Sequence, residues 1–117
     1  FVSDYVHNAP SHDYLRETHH RLYETIREKH PNIPYFMISK PDFHFDEGNI
    51  GRRDIIMQSY LDARAKGDKN VYFIDGSAFF NGQTVSDLTL DTTHPNDEGF
   101  RRMADYIGDV LAKVMKL

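Results

Sequence analysis

Pro34-Tyr35-Phe36-Met37-Ile38-Ser39 is a short, continuously apolar run bounded by prolines at 34 and 41. A strand with one wet face alternates apolar and polar residues. An uninterrupted run too short for a helix reads instead as a strand buried on both faces, the kind found in parallel sheets covered by helices. The flanking sequence agrees. Upstream, Leu15, Thr18, Leu22 and Ile26 recur at helical spacing, with Arg16, Glu17, Arg21, Glu24, Arg27 and Glu28 on the other side. Ser11, after Ala9-Pro10, predicts the N-cap, because its hydroxyl can accept from the open N–H groups of the first turn. His30-Pro31-Asn32 predicts the stop, since a proline drives the residue before it out of the α region. His19 and His20 sit in this charged helix and read as surface residues.

Downstream, Ile55, Ile56, Tyr60 and Ala63 predict a second helix with Gly67 as its C′ residue. Val71-Tyr72-Phe73-Ile74 predicts a third strand, closed by Asp75-Gly76. Phe1–Val6 reads as a first strand already under way, and Pro41–Gly51 and the stretch from Asp75 to Pro95 read as loops. A last helix begins near Asn96, with Asp97 and Glu98 at the positive end of its dipole. Its apolar face is Phe100, Met103, Ala104, Ile107, Leu111 and Val114. Strands alternating with helices imply a parallel sheet built from right-handed crossovers. Three strands are few for a sheet covered on both faces, and the chain opens with neither an initiator Met nor a signal-peptide pattern. Further residues of the same domain are therefore expected upstream.

At 117 residues the chain suits one domain rather than two. Its 39% hydrophobic and 27% charged residues are the balance of a soluble globular protein, which leaves the compartment open. No apolar run approaches the roughly 20 residues of a membrane span. A net charge of −4 without a basic stripe gives no reason to expect a nucleic-acid partner. Without cysteine, disulfides, a thiolate nucleophile and zinc–thiolate sites are excluded.

In an open parallel sheet, ligands bind beyond the carboxyl ends of the strands. The segments leaving those ends carry His7, Asn8, Asp42, His44, Asp46, Asp75, Asp87, Asp91 and His94. Among them Asp91-Thr92-Thr93-His94-Pro95-Asn96 stands out. A carboxylate three residues before a histidine can fold back in a tight turn, accept from one ring nitrogen and fix the tautomer. The other nitrogen is then left to act as a general base. On the residues alone, an Asx-type turn and helix cap with an exposed His94 is an equal reading.

The longer stretch Leu88-Thr89-Leu90-Asp91-Thr92-Thr93-His94-Pro95-Asn96-Asp97-Glu98-Gly99-Phe100, with Met103-Ala104 and Ile107, resembles the last sequence block of the SGNH (GDSL-type) hydrolases. In that family the block runs Asp, two variable residues, His-Pro, a polar stretch, then Gly and an apolar residue opening the final helix. The resemblance implies that Asp91 and His94 are the acid and base of a Ser-His-Asp triad. Asp4-Tyr5-Val6-His7-Asn8-Ala9-Pro10 is similar to the family's third block, with Val6 and Ala9 in place of the usual glycine and aspartate. This likeness implies an oxyanion-hole donor at Asn8. The serine and second blocks have no match here: Ser3, Ser11, Ser39, Ser59, Ser77 and Ser86 read as strand, cap, loop and surface residues.

The implied whole is a three-layer α/β/α domain with a flavodoxin-like parallel sheet, of which residues 1–117 form the C-terminal portion. Its N-terminal segment would bring the nucleophilic serine. The implied activity is ester hydrolysis without a cofactor, on a small ester such as an acylated carbohydrate, and the segment alone is expected to be inactive. His7, Asp42 and His44 are expected along the pocket wall. Two other classes stay open: a non-catalytic α/β binding module in which Asp91 and His94 only cap the last helix, and a metal-dependent hydrolase using His44, His94 and nearby carboxylates. The absence of a second matching cluster weighs against a metal at Asp42, His44, Asp46 and Glu47.

Overall fold

The computed structural model describes residues 1–41, 47–80 and 85–117. Three parallel strands, β1 (Val2–Ser3), β2 (Tyr35–Ile38) and β3 (Val71–Ile74), form one sheet in the order β1-β2-β3. Val2 is level with Phe36, and Tyr35 to Ile38 run level with Val71 to Ile74. Helices α1 (His12–Lys29) and α2 (Glu47–Ala65) make the two crossovers, and α4 (Asp97–Met115) follows the short α3 (Val85–Leu88).

The central position of β2 explains its sequence. Tyr35 and Met37 join Leu15 and Tyr23 of α1 and Ile55, Ile56 and Ala63 of α2 in one core layer. Phe36 and Ile38 join Ile74, Phe79, Phe80 and Leu88 in the other, against Met103, Ile107 and Val110 of α4. With both faces covered, every residue of β2 is buried. The strand, the crossovers and helices on both faces are as expected. The helix signals hold as well: Ser11 Oγ accepts from Tyr14 N at 3.1 Å, His30 ends α1, and Gly67 has a φ of 95°.

Five expectations are corrected. The stretch from Asp75 to Pro95 is not all loop, since it holds a 3₁₀ turn at Gly76–Ala78 and the short α3. The ladder of β1 covers only Val2–Ser3, because the chain turns after Asp4 and sends Val6 and Ala9 into the core under α1 and α2. Helix α2 begins at Glu47, so the second half of the Pro41–Gly51 stretch is helical. Glycines at 48 and 51 hid that start. A Cβ on Gly51 would lie 2.7 Å from the His12 ring, and His12 Nε2 is 3.0 Å from Gly48 O. The bare backbone lets the first turns of α1 and α2 meet. His19 is fully buried rather than exposed, its Nδ1 2.9 Å from Ser59 Oγ across the α1–α2 interface. Finally, Phe100 and Ala104 are exposed, and Val110 takes part in the apolar face of α4 instead.

Arg27 closes the amino-terminal end of the sheet. Its Nε donates to Asp68 Oδ2 at 2.9 Å, its Nη1 to Ile33 O at 2.6 Å and its Nη2 to Asn70 O at 3.2 Å. Tyr23 Oη donates to the same Asp68 oxygen at 2.6 Å. Burial alone would raise the Asp68 carboxyl, but Tyr23, the Asn70 N–H and Arg27 outweigh it and hold it below the usual range.

Candidate active site

The segment between α3 and α4 is a braced turn. Thr89 bridges Pro95 in antiparallel fashion, Leu90 N donates to His94 O at 2.9 Å and Asn96 N to Leu88 O at 2.9 Å. Within that frame Thr92 takes a φ of 68°, a left-handed conformation uncommon for a β-branched residue. The chain thereby reverses tightly enough for Asp91 to reach back over His94.

The two oxygens of Asp91 divide the work. Oδ1 accepts from Thr93 N at 3.0 Å and from His94 N at 2.7 Å. Oδ2 lies 2.6 Å from His94 Nδ1. The His94 N–H, then the ring contact, and the Thr93 N–H lower the Asp91 carboxyl to about 2, so it is a carboxylate at any working pH. A carboxylate on Nδ1 favours the tautomer that carries its proton there and leaves Nε2 as the acceptor. Both side chains remain open, His94 by 74% and Asp91 by 54%, so neither is spent on the core.

Neither residue caps α4. Asn96 does, its Oδ1 accepting from Gly99 N at 2.9 Å. A Cβ on Gly99 would fall 2.3 Å from Leu88 O, so glycine is needed where the first turn of α4 presses on the end of α3. Glu98 is lowered to about 2 by Arg101 and Arg102, which lock it onto α4 as a surface clamp.

A cleft of about 190 Å³ opens beyond the carboxyl ends of the strands. His7 and Asn8 line it from the β1 side, Lys40 and Pro41 from β2, and Thr93, Pro95 and Phe100 from the turn and α4. The residues flanking His94 thus face Asn8. Among the described residues, the Asn8 carboxamide makes no hydrogen bond and no serine lines this cleft. Ser3, Ser39 and Ser59 are buried and Ser11 caps α1. Asp42, His44 and Asp46 lie outside the described residues. Asp75 is engaged near the end of β3, accepting from Ser77 N at 3.0 Å and lying 3.7 Å from Arg53. A larger groove of about 380 Å³ between α1 and α2 holds none of the candidate residues.

Lys40 and Phe100 also line this cleft, and the sequence reading did not single them out for it. Lys40 lies two residues past the end of β2, in a segment that the strand-end rule points to. Phe100, expected on the apolar face of the last helix, is 58% exposed and lines the cleft instead.

Residues 1–112 match the GDSL-like lipase/acylhydrolase family, and the chain belongs to that family. A protein assigned as a GDSL-like lipase in Bacteroides ovatus ATCC 8483 superposes with a TM-score of 0.81 at 29% identity, covering 99% of this chain and 36% of its own. The salicylyl-acyltransferase SsfX3 of a tetracycline biosynthetic pathway gives 0.72 at 22% identity, over 94% of this chain and 35% of its own. A family two carbohydrate esterase from Clostridium thermocellum, solved in complex with cellohexaose, gives 0.74 at 19% identity, over 91% and 31%. The fold is that of these proteins, and the chain spans about a third of the length of each. No curated protein matches the sequence. Among the described residues, no helix is long and apolar enough to cross a membrane.

Proposed function

We propose that this segment supplies the acid–base pair and one oxyanion donor of a serine esterase. The nucleophilic serine and the second oxyanion donor would come from a preceding part of the same domain. The observation that carries the reading is the 2.6 Å contact between Asp91 Oδ2 and His94 Nδ1, in a turn whose other carboxylate oxygen is held by backbone N–H groups. Membership of an acylhydrolase family supports it.

In this scheme the serine hydroxyl attacks the acyl carbonyl while His94 Nε2 takes its proton. Asp91 steadies the imidazolium. The oxyanion accepts from the Asn8 carboxamide, the intermediate collapses, and His94 returns the proton to the departing alcohol. Water then releases the acyl group by the same route in reverse. No cofactor takes part. An acyl ester on a carbohydrate is our first choice of substrate, by analogy with the Clostridium thermocellum enzyme.

The helix-capping part of the alternative reading is not needed, because Asn96 caps α4, whereas the Asx-type turn at Asp91 is present and compatible with either role. The test is turnover of p-nitrophenyl acetate by the full-length protein. His94→Ala and Asp91→Asn should each lower kcat by at least about 10³-fold with folding intact, and a serine-directed phosphonate should label one serine outside this sequence. Near-normal turnover by His94→Ala would rule the mechanism out.

A further inference from the structure

We infer that Arg52 is a positioning residue for the oxyanion-hole donor, holding the Val6–Ala9 turn so that the Asn8 carboxamide faces the cleft. The inference rests on the role proposed above for Asn8.

The turn is fixed at both ends by apolar anchors, since Val6 and Ala9 are buried in the core layer beneath α1 and α2. Their carbonyls cannot enter a ladder there, because the strand pairing of β1 ends at Ser3. Arg52, from the second turn of α2, fills that gap: its Nη1 donates to Val6 O at 2.8 Å and to Ala9 O at 3.0 Å. One guanidinium nitrogen thus bridges the two ends of the turn, closing a ring around His7 and Asn8. His7 is held separately, with Nε2 2.9 Å from Asn49 Oδ1, one turn earlier on α2. Asn8 alone of the four keeps its polar group for the cleft, with no hydrogen bond among the described residues.

Charge-assisted bonds to buried carbonyls are stronger than neutral ones, and removing Arg52 would leave two acceptors unsatisfied beside a core. The turn would relax to find other donors, carrying Asn8 with it. Oxyanion stabilisation needs its donor at a fixed place, and a misplacement of about 1 Å can cost about 100-fold in rate. Arg52 itself reaches backbone, so its contribution passes through Asn8.

The test is a double-mutant cycle in the full-length protein. Arg52→Met should lower kcat by about 10- to 100-fold with KM changed less than about twofold, and Arg52→Lys should recover part of the loss. Asn8→Ala should lower kcat on its own, and Arg52→Met should cost little more in that background. An equal Arg52→Met penalty with and without Asn8 would overturn the positioning role while leaving the esterase reading intact. Wild-type turnover by Asn8→Ala would overturn the oxyanion assignment, and this inference with it. A readout independent of turnover is the Asn8 side-chain signal in protein labelled with ¹⁵N-asparagine. It should shift and broaden in Arg52→Met, and an unchanged signal would refute the inference.

Discussion

Acidification should destabilise this protein through His19. Its ring is fully buried between α1 and α2, with Nδ1 on Ser59 and no hydrogen-bond partner at Nε2. Burial first, and the neighbouring His20 second, push its pKa from 6.5 down to about 4. In the unfolded chain the ring titrates normally, at about 6.5. Because the folded value is depressed, the unfolded state binds the extra proton over this window, so stability falls as pH drops. Above about 6.5 nothing is lost; His19 alone removes about 2 kcal/mol by pH 5 and about 3 kcal/mol by pH 4. That is a large share of the stability of a small domain. The assay is urea unfolding of the full-length protein at pH 7.5, 6 and 5, followed by far-UV circular dichroism. His19→Asn keeps a polar atom near Ser59 and cannot titrate. It should be less stable than the wild type at pH 7.5, yet lose about 2 kcal/mol less between pH 7.5 and pH 5. His20→Gln should keep most of the wild-type slope. Equal slopes for His19→Asn and the wild type would refute the reasoning.

Two further substitutions test the frame of the site and of the sheet. Arg27→Met should cost about 1–3 kcal/mol in urea unfolding, since it takes the cation from the half-buried Asp68 carboxylate and frees the carbonyls of Ile33 and Asn70; a loss under about 0.5 kcal/mol would show the pair to be a dispensable surface bridge. Gly99→Ala should cost about 1–3 kcal/mol because its Cβ would collide with Leu88 O, and turnover should fall as the His94 turn moves with α4; wild-type stability would show that the contact relaxes freely.

The sequence was most legible where one physical demand acted on several consecutive residues. Burial on both faces made Tyr35–Ile38 uniformly apolar, and the first-turn N–H groups of α1 and α4 called for Ser11 and Asn96. Asp91 and His94 were legible for the same reason: their geometry is local, three residues apart in one turn. What escaped was set by contacts distant in the chain. His19 looked like a surface residue because its own helix is charged, while its partner Ser59 is 40 positions away. The start of α2 was hidden because its glycines answer to His12. Arg52 had no local signal at all, since the carbonyls it holds lie more than 40 positions upstream. Phe100 obeyed the helical period, but nothing in that period says which flank of the helix lies at a cleft.

The local character of the Asp91–His94 pair has a consequence for motion. Asp91 and His94 belong to one hairpin of backbone, and the hydrogen bonds that shape it also hold the carboxylate. Rigid-body shifts of α4 against the sheet, or breathing at the exit of β1, would carry the two together and leave their separation unchanged. Asn8, and any nucleophile brought from elsewhere, enjoy no such guarantee. Their distance from the imidazole is a property of the assembled domain. Under the proposed mechanism, gentle loosening of the fold would therefore part His94 from its targets while the imidazole–carboxylate couple persisted, detectable by its downfield ring-proton resonance after activity had gone.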